Sequence, residues 1–191
     1  MDQQLFEQAY QGQAPWDTGR PQPVIIRLAK AGKIRGSVLD VGGGTGRGAR
    51  SLSGKARRVV LVDPSTGMLR HAARKGLASI CAPGEALPFA PGTFERILLM
   101  DTLHHVADQA ATLRELWRLL RPGGRLLIVE PDIRQFPVKL VALAEKLLLM
   151  RSHFLSGDRI LALLADCGAP GMTEYEGTSV WVMAEKPVHP G

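Results

Sequence analysis

Asp40 sits in an apolar run, Val38-Leu39-Asp40-Val41, that leads directly into Gly42-Gly43-Gly44-Thr45-Gly46. Glycines between a strand and a helix let the chain turn tightly and bring backbone N–H groups against a ligand, at a cost in backbone entropy that a plain turn does not require. In open α/β sheets ligands bind beyond the carboxyl ends of the strands, so this turn reads as a ligand site. Asp63 ends a second apolar run 23 residues after Asp40. A carboxylate there suits the two hydroxyls of an adenosine ribose. Gly44-Thr45-Gly46-Arg47-Gly48-Ala49 also fits the G-x-G-x-x-A dinucleotide fingerprint, so nucleotide and nucleoside cofactors are both open on these residues alone. No Gly-Lys-Ser/Thr follows the glycines, which excludes a P-loop.

A second group closes the fourth apolar run: Asp101-Thr102, then His104-His105. Imidazole, with an unperturbed pKa of about 6.5, accepts protons near neutrality, so either histidine is a candidate general base. The competing reading is packing and hydrogen bonding at the start of a helix. Adjacent histidines point in different directions, and no metal site is expected.

These residues need a frame, and the rhythm of the chain supplies one. Ser37–Val41, Arg57–Asp63, Ala78–Ala82, Phe94–Asp101 and Gly124–Glu130 read as buried strands. Helical patterns lie between them at Gly46–Ser53, Ser65–Lys75 and Asp108–Leu120. Such alternation predicts an α/β fold, a mainly parallel, doubly wound sheet with right-handed crossovers. Two further helices, Pro137–Arg151 and Ser156–Cys167, precede a hairpin of Met172–Glu176 and Ser179–Glu185, and Gln3–Tyr10 and Val24–Lys33 read as helices at the other end. Within Pro137–Arg151, Leu140, Leu143, Leu147 and Leu148 keep helical spacing and read as core.

The 191 residues, 45% hydrophobic and 22% charged, suit one soluble domain without repeats or linkers. Two cysteines, Cys81 and Cys167, are too few for a disulfide framework, and the N-terminus shows no secretory signal, so a reducing, cytoplasmic setting is expected. The longest apolar stretch, Val138–Met150, is too short to span a bilayer. A net charge of +6 permits an anionic partner, but the one local cluster, Arg47, Arg50, Lys55, Arg57 and Arg58, reads as a solvated face.

Five segments in order, VLDVGGGTG, VVLVDPS, GEALPF, FERILLMDTLHHV and LLRPGGRLLIVEP, resemble the class I S-adenosylmethionine-dependent methyltransferases over about residues 10–186. Within that family the chain is most similar to small, single-domain members with GEALPF and LHHV motifs, a group that includes quinone-biosynthesis and tellurite- or thiopurine-type enzymes. The resemblance implies a Rossmann-like, seven-stranded sheet with an antiparallel C-terminal strand. It also implies S-adenosylmethionine as cofactor, S-adenosylhomocysteine as product and in-line methyl transfer to a small-molecule acceptor. One methyltransferase domain over 1–191 would comprise an N-terminal helical cap (1–33), a cofactor-binding core (34–130), acceptor-side helices (131–170) and a closing hairpin (171–186).

Carried onto these residues, the resemblance places the methionine end of the cofactor against Asp40, Gly42 and Gly44, with Gly46 opening the helix. Asp63 would hold the ribose, Pro64 and Met68 would lie near the adenine, and Gly84 and Glu85 would line its edge. Asp101 and Thr102 fall where methyl donor and acceptor meet. Pro83 stands where the family often has an adenine-binding Asp. The N-terminal stretch resembles the cofactor-covering segment of thiopurine- and tellurite-type members: Tyr10 or Trp16 would pack over the sulfonium and Arg20 would clamp the methionine carboxylate. Trp16 as a hydrophobic plug is the plainer reading. Arg134, Arg151 and His153 are the polar residues expected on the acceptor side. A nucleic-acid methyltransferase is one alternative, although an exocyclic-amine enzyme would show Asn/Asp-Pro-Pro-Tyr where this chain has Asp101-Thr102-Leu103-His104, and no cysteine follows a proline. A nicotinamide-dependent oxidoreductase or a non-catalytic cofactor-binding module is the other.

Overall fold

The structure, a computed structural model, describes residues 23–147 and 152–188. The proposed helix Gln3–Tyr10 and the residues Tyr10, Trp16, Arg20, Leu148 and Arg151 lie outside the described residues. The apolar runs form strands β1 (Ser37–Val41), β2 (Arg58–Asp63), β3 (Ser79–Cys81), β4 (Phe94–Met100), β5 (Leu120–Pro131), β6 (Gly171–Glu176) and β7 (Ser179–Glu185). They make one seven-stranded sheet in the order β3-β2-β1-β4-β5-β7-β6. Strands β1 to β5 pair in parallel, β7 runs antiparallel to β5, and β6 pairs antiparallel with β7. The last strand therefore inserts inside the sheet and leaves β6 at the edge, as the expected α/β, Rossmann-like architecture requires.

Helices α1 (Pro23–Lys30), α2 (Arg47–Leu52), α3 (Thr66–Arg74), α4 (Gln109–Leu119), α5 (Phe136–Leu147) and α6 (Gly157–Ala165) connect or flank the strands. Three start on side-chain caps that satisfy otherwise orphaned amides: Ser65 accepts from Met68, Asp108 from Ala111 and Ser156 from Arg159. Strand residues alternate between two cores. Leu39, Ile97, Leu99, Leu126, Ile128, Val180 and Val182 pack toward α4 and α6 with Leu113, Leu116, Ile160 and Leu164. Val38, Leu98, Leu127, Val129 and Trp181 face the other way, with Ile25 of α1 and Leu52 of α2. Both faces of the sheet are covered, which is why the parallel strands read as continuous apolar runs.

One sequence expectation fails. Leu140, Leu143 and Leu147 of α5 are 53%, 55% and 75% exposed, and Val138 is the buried residue of this helix. The helix follows the carboxyl end of β5, where the sheet no longer offers a face for its leucines to cover. Helical spacing reports the stripe but not what it meets.

Neighbouring β1 and β4 are the point where the chain's path across the sheet reverses, from β1-β2-β3 on one side to β4-β5 on the other. The carboxyl ends of β1, β2, β4 and β5 deliver Asp40, Asp63, Asp101 and Glu130 to this crevice, the usual ligand position in such sheets.

Candidate functional site

Gly42 leaves β1 with φ 68°, a left-handed backbone that glycine adopts without penalty. A Cβ there would strike the Thr102 side chain, so the glycine also lets the turn after β1 press against the turn after β4. The Asp40 carboxylate is 2% exposed. Its partner is the Ala49 amide, while Oδ2 is buried with no hydrogen bond and faces a recess lined by Ile25, Gly42, Gly43, Arg47 and Met100. A Cβ on Gly43 would lie 2.8 Å from that oxygen, so glycine keeps the approach open. Burial pushes the Asp40 pKa up to about 7, against the pull of the Ala49 amide and with a further push from the Asp63 charge.

Asp63, at the end of β2, is already engaged. Its Oδ2 accepts from the Gly44 amide at 2.9 Å and its Oδ1 from the Ser65 amide at 2.8 Å. Thus the acid fixes the glycine turn and the start of α3 relative to each other before any ligand arrives.

On the β4–β5 side the arrangement is denser. Glu130, 3% exposed at the end of β5, accepts at Oε1 from the Thr102 and Leu103 amides, at 2.8 and 2.7 Å. Its Oε2 accepts from the His104 amide at 3.3 Å and pairs with His104 Nδ1 at 2.5 Å. One carboxylate thereby satisfies the opening amides of the 3-10 turn Leu103–His105. Burial opposes charge on His104, but the Glu130 hydrogen bond and charge outweigh it, helped by Glu145 and Asp101, and hold the imidazole above its usual pKa. Phe154 stacks on the His104 ring at 4.4 Å, and the His153 amide donates to the His104 carbonyl at 2.8 Å. His105 has an exposed flank and a Ser152 hydroxyl 3.2 Å from Nδ1. Crowding away from water and the adjacent His104 push its pKa down to about 4. Asp101 holds φ 49°, an uncommon left-handed conformation outside glycine, between a strand and a site, where such strain often serves function.

Comparison with known proteins fits this geometry. Residues 39–128, from β1 into β5, match the family described as a methyltransferase domain. Demethylmenaquinone methyltransferase of Corynebacterium urealyticum is 40% identical over 93 residues, 49% of this chain and 40% of that protein. The ubiquinone/menaquinone biosynthesis C-methyltransferase UbiE of Hahella chejuensis is 38% identical over 105 residues, 49% of this chain and 42% of that one. Among solved structures, a SAM-dependent methyltransferase of Thermotoga maritima superposes with a TM-score of 0.80 at 22% identity, covering 96% of this chain and 99% of that chain. Residues 39–128 thus carry a methyltransferase domain, and the sheet as a whole has the fold of a SAM-dependent methyltransferase. The chain spans only 40–42% of the length of these two curated relatives, which bounds what their names carry over.

In this methyltransferase chain the remaining candidates fall as follows. Met68 of α3 and the exposed Pro64 border the glycine turn, with Met68 Cε 3.6 Å from where a Gly44 Cβ would stand. Gly84 packs against Thr112 of α4. Glu85 Oε1 accepts from the Ala107 and Asp108 amides at 2.9 and 3.0 Å, so Glu85 braces its loop on the start of α4. Thr102 is held by the Met100 carbonyl, to which its hydroxyl donates at 2.8 Å. Arg134 is engaged in ion pairs with Asp132 and Asp158, and His153 is exposed beside the histidine turn. Sequence reasoning missed Glu130, Phe154 and Glu145; the last lies on α5 with Oε2 buried and without a hydrogen bond. No local pattern marks any of them, because their partners lie 26 or more residues away, as with His104 and Glu130.

Proposed function

We propose that the chain binds S-adenosylmethionine across the ends of β1 and β2 and transfers its methyl group to a small-molecule acceptor at the ends of β4 and β5. The buried, unpartnered Asp40 Oδ2 at the glycine turn is the observation that carries this reading. An unsatisfied carboxylate oxygen in the interior costs on the order of 1–3 kcal/mol or more, and a cationic partner removes that cost. The residues present fit the cofactor: Asp40 suits the ammonium of its methionine moiety, and the Asp63 carboxylate at the end of β2 suits the ribose diol. Pro64, Met68, Gly84 and Glu85 would border the adenine, with Glu85 holding its loop in place rather than offering Oε1. Tyr10, Trp16 and Arg20 would close over the methionine end.

When bound, the cofactor supplies a methyl group activated by a sulfonium. The protein's share is orientation and exclusion of water, and positioning alone can lower a barrier by roughly 7–11 kcal/mol. Glu130 fixes the Thr102–His105 turn with its Oε1 and Oε2, which holds Thr102 against Gly42. His104, with Nδ1 committed and its ring covered by Phe154, serves as a positioning residue. His105 is neutral at physiological pH because its pKa is pushed down, which leaves a ring nitrogen free to accept a hydrogen bond from the acceptor while lowering its strength as a base.

The curated relatives are named for quinone substrates, which supports a ring acceptor of hydroquinone type over nucleic acid. Isothermal titration with S-adenosylmethionine, S-adenosylhomocysteine and NAD, on the wild type and Asp63→Ala, tests the cofactor. Micromolar binding of the first two, weakened at least tenfold in the variant, is expected; binding of NAD alone overturns the reading. Transfer of labelled methyl to a demethylated hydroquinone but not to RNA is the expected acceptor result.

A further inference from the structure

The helix α5, FPVKLVALAEKL over Phe136–Leu147, is amphipathic in the wrong sense for a core helix. At 3.6 residues per turn, Phe136, Leu140, Leu143 and Leu147 fall within about 60° of one another. All four are exposed, at 71%, 53%, 55% and 75%. Val138 and Glu145 lie on the opposite side, and there Val138 is buried and Glu145 Oε2 is sealed from water. The helix therefore meets the protein with its back and shows water a four-residue apolar stripe. Lys139 and Lys146 flank the stripe on one side, roughly 70–90° from its centre, and the helix's single acid faces inward. Arg134, two residues before Phe136 and paired with Asp132 and Asp158, lies over the half-exposed Tyr175 ring at 4.6 Å, which places an aromatic at the helix start.

We propose that this face of α5 docks on an anionic phospholipid surface. A helix with an apolar stripe bordered by lysines and no outward acid lies in the plane of a membrane interface, its stripe among the acyl chains and its ammonium groups among the lipid phosphates. The chain's net charge of +6 favours the same approach. A second copy of the chain matches the stripe less well. Antiparallel pairing of two α5 helices would set the Lys139 and Lys146 flank against itself, and parallel pairing would set those lysines against the opposite flank of Pro137, Val141 and Ala144, so neither arrangement gives an ion pair. Since α5 follows directly from the β5 end that carries Glu130, docking would bring the acceptor side of the sheet to the lipid. An acceptor dissolved in the bilayer would then reach it without crossing water. The docking itself does not depend on the methyl-transfer reading.

Vesicle co-sedimentation tests this with the full chain, using phosphatidylcholine vesicles with and without phosphatidylglycerol. Partition to the anionic vesicles is expected. Leu140→Gln with Leu143→Gln leaves the charge unchanged and should weaken partition tenfold or more. Lys139→Gln with Lys146→Gln should weaken it about fivefold per lysine on anionic vesicles only. Circular dichroism and S-adenosylhomocysteine binding, read on the same samples, separate lost docking from lost folding or a failed cofactor reading. Absence of partition overturns the proposal, as does partition that the leucine pair leaves unchanged. A self-association in analytical ultracentrifugation that the leucine pair abolishes, with no vesicle binding, assigns the stripe to a second copy instead.

Discussion

Two buried acids stand at neighbouring strand ends and are treated in opposite ways. Glu130 on β5 has the amides of Thr102, Leu103 and His104 and the His104 imidazole around its carboxylate. Asp40 on β1 has the Ala49 amide and an Oδ2 with nothing. A saturated carboxylate organises its surroundings and has little left to offer a ligand. An unsaturated one weakens the fold and is held ready to bind. On the proposed reading the β4–β5 side is the scaffold and the β1 side the receptor, within one crevice.

Removing the scaffold acid is expected to have the largest effect. Glu130→Ala strands buried amides and leaves His104 without its partner, and should lower the free energy of unfolding by about 3–5 kcal/mol in urea titrations. A loss under about 1 kcal/mol would erase the distinction. Asp40→Asn should act in the opposite direction. With its pKa raised from 3.8 to about 7, the folded state binds a proton that the unfolded state has released, so the wild type loses stability as pH rises through that window. The shift is worth on the order of 4 kcal/mol. Asparagine keeps one polar atom unsatisfied, and a gain of about 2 kcal/mol at pH 8, with little change near pH 4, is the expected thermal-melt result. His104 gives a smaller signature of its own. Its raised pKa makes the Glu130 pair stabilising below the unfolded value near 6.5, and the contribution should fade as pH climbs through the folded value. Comparison of wild type with His104→Asn at pH 6 and pH 9 measures it. Least is expected from Glu85→Ala, which removes an acceptor for two amides at the solvent-side start of α4, about 1 kcal/mol by the same denaturation.

The placement of the β1–β2 residues was legible in the sequence and the Glu130 network was not. Asp40, the glycines and Asp63 announce themselves because strand, turn and acid are contiguous, and the strand alternation fixes their arrival at one edge. Strand limits fell within a residue or two of expectation, except that β5 starts at Leu120 rather than Gly124, where Leu120 already pairs with Phe94. Glu130, Phe154 and Glu145 depend on contacts between distant segments, which leave no local pattern. The α5 leucines show a different gap. Periodicity set their common face correctly, but which side of a helix meets the protein is decided by what lies beyond the end of β5, and there the stripe met solvent.

The most direct measurement is a calorimetric comparison of S-adenosylhomocysteine with 5′-methylthioadenosine, which lacks the amino-acid end, on wild type and Asp40→Asn. If Asp40 receives the ammonium, the variant should bind S-adenosylhomocysteine at least tenfold more weakly while binding of methylthioadenosine is unchanged. Equal loss for both ligands, or no loss for either, would contradict that assignment.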